Sequence, residues 1–453
     1  YNDNCKPIPM LLHFNKKILI LLIIGATIIT SSIILMQQSR IIPVNDEESS
    51  VDSLDKQVLH LDEKNPIKIG IIHSLSGTMA MSETPVVDST LLAIDEINEK
   101  GGILGRKVVP IIRDGRSDWD TYASEAQRLI VEEKVDVVFG GWTSASRKTM
   151  KPVFEKYDHL LFYPVQYEGL EQSPNIVYTG AAPNQQVLPA VDWASHNIGT
   201  KFFLVGSDYV FPRSANEIIK AKIDEVGGQI LGEEYKLLGE DQFEDVVKKI
   251  VDTKPDVILN TINGDSNVGF FKELRKQGIT PSVIPTISFS IAEDEIKYLG
   301  ADTMTGDYAV WNYFQSIDSK QNLEFVNNFK KKYGPHRVTD DPMEAGYVGV
   351  YLYAKAVDIA GTTNLHEVKK SLRGLTFSAP EGIVGIDPDN QHLAKIVRVG
   401  QILHTGQFKI VFSTEEPVKP IPYPIYKSKE AWDEFLNNMY TEWNQNWSNP
   451  GLR

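Results

Sequence analysis

Cysteine is almost missing from this chain of 453 residues; Cys5 is the only one. An internal disulfide and a thiolate-built metal site are thereby excluded, so the apolar core has to hold the fold. Basic charge is also short, with 46 Lys and Arg against 60 Asp and Glu. The net charge of −14 argues against nucleic acid as a partner, because neutralising phosphates takes a basic face. His73, His159, His196, His336, His392 and His404 are scattered, with no HExxH pair or other metal-ligand spacing. Ser74-Leu75-Ser76-Gly77 is not a G-x-S-x-G elbow, and Asp114–Asp118 misplaces the glycine and later ligands of an EF-hand loop. Gly101–Gly105 follows a helical pattern and lacks dinucleotide spacing. Without a nucleophile–base pair or a ligand set, the residues predict neither an enzyme nor a bound cofactor or metal.

What the chain does have is alternation. Ile67–Ile72, Val108–Ile112, Val135–Phe139, Leu160–Phe162, Phe202–Val205, Val257–Thr261 and Thr286–Ser290 read as strands, separated by helical patterns such as Thr84–Lys100 and Ala145–Tyr157. Strands alternating with helices of about 10–15 residues predict an α/β protein with parallel sheets. Similar glycine pairs after Lys100 and Val226 suggest two lobes of related design. The centre of the pattern is Val135–Gly169, a β-α-β unit whose strand-end loops carry Trp142, Thr143, Ser144, Tyr163, Gln166 and Tyr167. Such loops at the carboxyl ends of parallel strands are where ligands bind. Holding hydroxyls, an amide and aromatics but no carboxylate or histidine up to Tyr167, they suit a small, planar, uncharged ligand.

Outside the alternating body, Lys16-Lys17 precede Ile18–Leu35, a nearly unbroken apolar run. Its length matches a membrane span of about 20 residues. It predicts an anchor at about 18–36 within an N-terminal segment 1–36, with the basic flank cytoplasmic and the body extracytoplasmic. A cleaved signal, leaving a secreted or periplasmic body, is the alternative. Residues 37–65 read as a flexible acidic stalk. The tail, 413–453, turns Pro-rich and then aromatic, with Trp432, Phe435, Met439, Tyr440, Trp443 and Trp447. Packing on the body, lying on a membrane and meeting a partner all remain open for it.

Long segments resemble the urea and short-chain amide receptors within the branched-chain-amino-acid-type family of ABC transporter substrate-binding proteins. They are Ile69–Thr78, Gly141–Arg147, Leu161–Gly169, Ser173–Gln185, Gly206–Arg213, Thr261–Phe271, Trp311–Asp318 and Asp341–Tyr347. Amide-sensing regulators are close relatives. The resemblance implies a type I periplasmic-binding fold, in which two Rossmann-like lobes are joined by a three-crossover hinge that closes on ligand. It implies lobe 1 at 66–185 and 315–375, lobe 2 at 186–314 and 376–412, and ABC permease subunits as partners. The expected function is that of an extracytoplasmic receptor for urea or a short aliphatic amide. A sensor that signals to a partner and a branched-chain amino acid receptor are the alternatives.

Urea offers four N–H donors and one acceptor, so its site needs acceptors on two sides, a donor and flat walls. Trp142, Tyr163 and Tyr209 are the expected walls. Thr143 and Ser144, at a helix N-terminus, are the expected donors to the carbonyl. Asn263 and Asp265 are expected to accept from the other lobe, and Gln166 suits either role. Trp311 and Tyr313 read as packing residues.

Overall fold

The computed structural model describes residues 61–451. The expected anchor and most of the expected stalk lie outside them. Among the described residues no helix is long and apolar enough to cross a membrane.

The first sheet is wholly parallel. It contains β1 (Asp62–His73), β2 (Arg106–Asp114), β3 (Val137–Gly140), β4 (Leu161–Tyr163) and β5 (Ile176–Tyr178), in the order β2-β1-β3-β4-β5. Its helices are α1 (Ala80–Glu99), α2 (Trp119–Val131) and α3 (Ser144–Lys156). Every residue of β3, β4 and β5 is buried, as continuous apolar runs in a sheet covered on both faces should be. β1 starts inside the expected stalk, because the Asp62 N–H donates to the Gly105 oxygen (2.9 Å) and Asp62 pairs with Arg106.

The second lobe contributes α4 (Val187–Asn197), β6 (Lys201–Ser207), α5 (Val210–Glu225), β7 (Gln229–Lys236), α6 (Glu244–Thr253), β8 (Val257–Thr261), α7 (Ser266–Lys276), β9 (Thr286–Ser288), α8 (Glu293–Leu299), α9 (Ala301–Met304) and β10 (Tyr308–Trp311). The chain then returns to the first lobe with α10 (Lys320–Tyr333), α11 (Asp341–Ala360) and α12 (Leu365–Leu372). Phe325, Phe329, Val348 and Val368 join the first core. A small antiparallel sheet of β11 (Thr376–Ala379), β12 (Gly382–Ile386) and β13 (Leu393–Ala394) follows. Ala379, Val384, Ile386 and Leu393 also bury themselves in the first core. The third crossing therefore falls after β13 rather than at the expected 375–376. Finally β14 (Arg398–Ile402) and β15 (Phe408–Ser413) complete the second sheet, ordered β15-β14-β10-β9-β8-β6-β7.

Asn312 ties the three crossings together. Its Nδ2 donates to Gln185 O (3.3 Å) on the first and to Ile396 O (2.8 Å) on the third. Asp341 at the head of α11 braces the second crossing, accepting from the N–H groups of Asn312 (2.9 Å) and Tyr313 (2.8 Å).

The tail packs on the body. α13 (Lys429–Glu442) places Trp432, Leu436 and Met439 in a core shared with α4 and α5. Trp432 is fully buried, with its Nε1 donating to Pro424 O (3.0 Å).

Candidate functional site

The loops after β3, β4, β6 and β8 face one another across the two lobes, and the cleft between them is closed. Gly140 and Gly141 make the first of these turns possible. Both have positive φ (137° and 81°), and a Cβ on Gly140 would lie 1.9 Å from the Ile72 oxygen. Trp142 follows and is buried, with its Nε1 3.4 Å from Asn263 Oδ1 in the other lobe. Asn263 is held in turn by the Ser207 Oγ on its own N–H (3.1 Å) and by its Nδ2 on Thr261 O (3.1 Å).

Thr143 caps α3, its Oγ1 accepting from the Ser146 N–H (3.1 Å). The first N–H groups of a helix have no intrahelical acceptor, so those of Ser144 and Ala145 remain as donors at the cleft. The Ser144 hydroxyl is used within lobe 1, donating to Glu168 Oε2 and accepting from Arg147 Nη1 (3.1 Å). The Tyr163 hydroxyl donates to the Trp142 carbonyl. Gln166 crosses to lobe 2, with its Nε2 donating to Phe289 O (2.7 Å) and Ser290 Oγ (3.0 Å), and leaves a buried Oε1 without a partner. Tyr209, just before α5, is buried in a cluster that also holds Ala145 and Leu170 of lobe 1. Burial pushes its hydroxyl pKa well above the ordinary value; nearby Tyr163, Glu168 and Glu83 push it further, while Arg147 pulls it down.

Asp265 is placed differently from the others. It is exposed, and it accepts from the Thr78 hydroxyl of lobe 1 at the rim of the cleft. It occupies the N-cap position of α7 without a side-chain capping bond. Seven of the eight expected residues thus gather at the closed cleft, and Asp265 stands outside it. Trp311 and Tyr313 pack as expected, with Trp311 Nε1 on Ile291 O (2.8 Å).

The profile of the family described as "Periplasmic binding protein domain" matches residues 67–429. The chain belongs to the periplasmic binding protein family. Among curated relatives, the Leu/Ile/Val-binding protein homolog 6 of Brucella melitensis is 22% identical over 345 residues, covering 74% of this chain and 87% of that protein. A limonene hydroxylase of Geobacillus stearothermophilus is 35% identical over 124 residues, which is 27% of this chain and only 23% of that protein. Among solved structures, a solute-binding protein of an ABC transporter from Rhodopseudomonas palustris, in complex with p-hydroxybenzoic acid, is 22% identical with a TM-score of 0.72. It covers 78% of this chain and 98% of its own. The branched-chain amino acid substrate-binding protein LivJ of Streptococcus pneumoniae, in complex with isoleucine, is 21% identical with a TM-score of 0.69, covering 79% and 100%.

This family member carries buried charge that the strand-end loops did not advertise. Arg147 lies over the rings of Tyr163 (4.7 Å) and Tyr167 (4.4 Å). Its Nε donates to Glu171 Oε1 (2.8 Å) and its Nη2 to Glu168 Oε1 (3.3 Å). Lys148 Nζ adds a contact to Glu171 Oε2 (3.0 Å). Burial works against the Arg147 charge, yet Glu171 and Glu168 hold its pKa well above the ordinary range. Burial likewise works against the Glu171 charge, and Arg147 and Lys148 outweigh it, so its pKa is strongly depressed. Every cation here is already neutralised.

Glu83, on α1, was not foreseen. It is fully buried, and its Oε2 accepts from the Ser74 N–H (2.9 Å) and the Tyr122 hydroxyl and lies 3.0 Å from His73 Nδ1. Its Oε1 and the His73 Nε2 have no partner. Among the described residues no group of three or more His, Cys, Asp or Glu side chains is arranged to hold a metal ion.

Proposed function

We propose that the cleft binds urea or a short aliphatic amide, and that the protein is an extracytoplasmic receptor that delivers it to an ABC permease. The observation that carries this reading is the partnerless Glu83 Oε1, on a side chain tied to the Ser74 N–H at the carboxyl end of β1, while the cations Arg147 and Lys148 are spent on Glu168 and Glu171. A buried acceptor with no donor costs roughly 1–3 kcal/mol, and a ligand N–H removes that cost. Glu83 Oε1 and Gln166 Oε1 are the acceptors. The Ser144 and Ala145 N–H groups meet the carbonyl at the positive end of α3. Trp142, Tyr163 and Tyr209 supply the walls, and Asn263 orients Trp142 from the far lobe. An anionic ligand would be repelled by Glu83, and Arg147 and Lys148 are already paired with Glu168 and Glu171, which disfavours the aromatic acids held by some of the solved structures. Permease delivery is supported by family membership and by the names of those relatives.

Glu83 also favours a second reading. A buried carboxylate in lobe 1, with the first N–H groups of α3 as a partner for the opposite charge, suits a zwitterion, with ammonium on Glu83 and carboxylate on the helix. A small neutral amino acid is therefore the competing ligand. Calorimetric titration of the full chain with urea, acetamide, leucine and 4-hydroxybenzoate separates the readings. Heat with urea or acetamide and none with the other two is the expected result. Binding of leucine alone replaces the amide reading with the amino acid one.

A further inference from the structure

We propose that the segment after α13, Trp443–Gly451, is a latch across the mouth of the cleft that holds the two lobes together and slows ligand release. The inference rests on the reading of the cleft as the binding site, but not on which ligand enters it.

The segment is fixed firmly to lobe 2. α13 is anchored there by buried Trp432, Leu436 and Met439 and by the Lys427–Glu217 pair ahead of it (2.7 Å). Beyond the helix, Trp447 stacks near Tyr440 with ring centroids 4.5 Å apart. Its carbonyl accepts from the Val210 N–H (2.9 Å), and the Asn449 N–H donates to Asp208 O (3.0 Å). The Asn449 Nδ2 adds a bond to Asp208 Oδ2 (2.6 Å), and Arg213 steadies the same Asp208 (2.7 Å). These contacts flank Tyr209, a wall of the candidate site.

The grip on lobe 1 is lighter. Trp119 Nε1, at the start of α2, donates to Ser448 Oγ (2.9 Å). Lys148 Nζ, on α3, lies over the Trp447 ring at 5.0 Å. Backbone pairing and a buried helix thus hold the segment on one lobe, and side-chain contacts clip it to the other. When the cleft opens, the lobe 1 contacts are the ones to break. The family profile stops at residue 429, the first of α13, so this helix and the latch lie beyond the part of the chain it describes.

The test measures the lobe-to-lobe distance in the full chain. Spin labels are placed at L323C on α10 and V283C in lobe 2, both well exposed, in a C5S background. The labelled protein is compared with its S448A and W119F variants, without ligand and with urea, alongside the urea dissociation rate by stopped flow. Trp119→Phe removes the donor together with part of the ring that packs on both cores, so Ser448→Ala, which leaves Trp119 intact, is the cleaner probe, and melting curves check that each variant is folded. The expected result is a smaller closed population in both variants, in at least one of the two conditions, and urea release about fivefold faster, as befits one lost hydrogen bond. Identical distance distributions for all three proteins in both conditions overturn the latch. If urea changes nothing in the parent protein, the amide reading fails, while the comparison without ligand still decides the latch.

Discussion

The two lobes meet at two places with opposite electrostatics. At the cleft, lobe 1 presents Arg147 and Lys148 closed in by Glu168 and Glu171, and lobe 2 answers with neutral Asn263 and Ser290. Near the hinge, α8 brings buried Glu293, Asp294 and Glu295 toward Asp340, Asp341 and Glu344 at the head of α11. Burial raises the Asp340 pKa well above the carboxylate range, and Glu295, Asp294 and Glu293 raise it further. Burial alone therefore does not decide whether a carboxylate is charged. A cation within hydrogen-bond reach holds the Glu171 pKa down, whereas a second group of acids pushes the Asp340 pKa up. The same contrast gives the cleft fixed dipoles and charges for a ligand, and gives the hinge face a dependence on pH.

Breaking the paired side should cost most. Replacing Arg147 with Met leaves Glu168 and Glu171 buried without their main partner, and stability should fall by about 3–5 kcal/mol, read from guanidinium chloride unfolding. Urea is unsuitable as the denaturant for a protein proposed to bind it. Glu83→Gln probes the ligand acceptor instead: affinity for urea or acetamide should drop about tenfold to a hundredfold in calorimetry. An unchanged affinity would remove Glu83 from the site.

The acidic side makes a prediction about pH. Burial raises the Glu293 pKa from the ordinary 4.5 to about 8, with Asp341 and Glu295 adding to the shift. The folded chain then holds a proton that the unfolded chain releases above pH 4.5. This contribution is fully present below pH 4.5 and is lost as pH rises through 8. Stability should fall across that window at up to about 1.4 kcal/mol per pH unit from this one group, and Glu293→Gln should flatten the slope. The smallest effect belongs to the rim. Asp265→Asn changes an exposed residue and should alter stability by less than about 0.5 kcal/mol, with ligand affinity close to that of the parent.

Much of this arrangement was legible because parallel sheets repeat a simple pattern. The glycine-terminated apolar run Val135–Gly141 fixed the position of Trp142 and Thr143, and the strand ends at Tyr163 and Ser207 located Gln166 and Tyr209. Whether Asp265 faces the cleft or its rim was not readable, because an acid beside a helix start looks the same either way; its orientation toward Thr78 depends on where the lobes meet. Glu83 was hidden for a different reason. An acid in the first turn of a helix is ordinary, and its significance lies in spacing. It shares the buried face of α1 with Val86 and Thr90, in line with Met79 at the N-cap, so it is a carboxylate on a stripe that should be apolar, a signal readable in principle. The buried Arg147–Glu168–Glu171 cluster joins residues from α3 and the loop after β4, and nothing in local periodicity announces such a pairing. The boundary after β13 was missed because short strands reveal their core only through tertiary packing.

The most direct measurement is a calorimetric titration of the full chain with acetamide and, in parallel, with acetate at neutral pH. The two are nearly the same shape and differ in charge and in the N–H groups offered to Glu83. Acetamide should bind and acetate should give no heat. Acetate binding as tightly as acetamide would contradict a neutral-amide site built on a partnerless Glu83 oxygen.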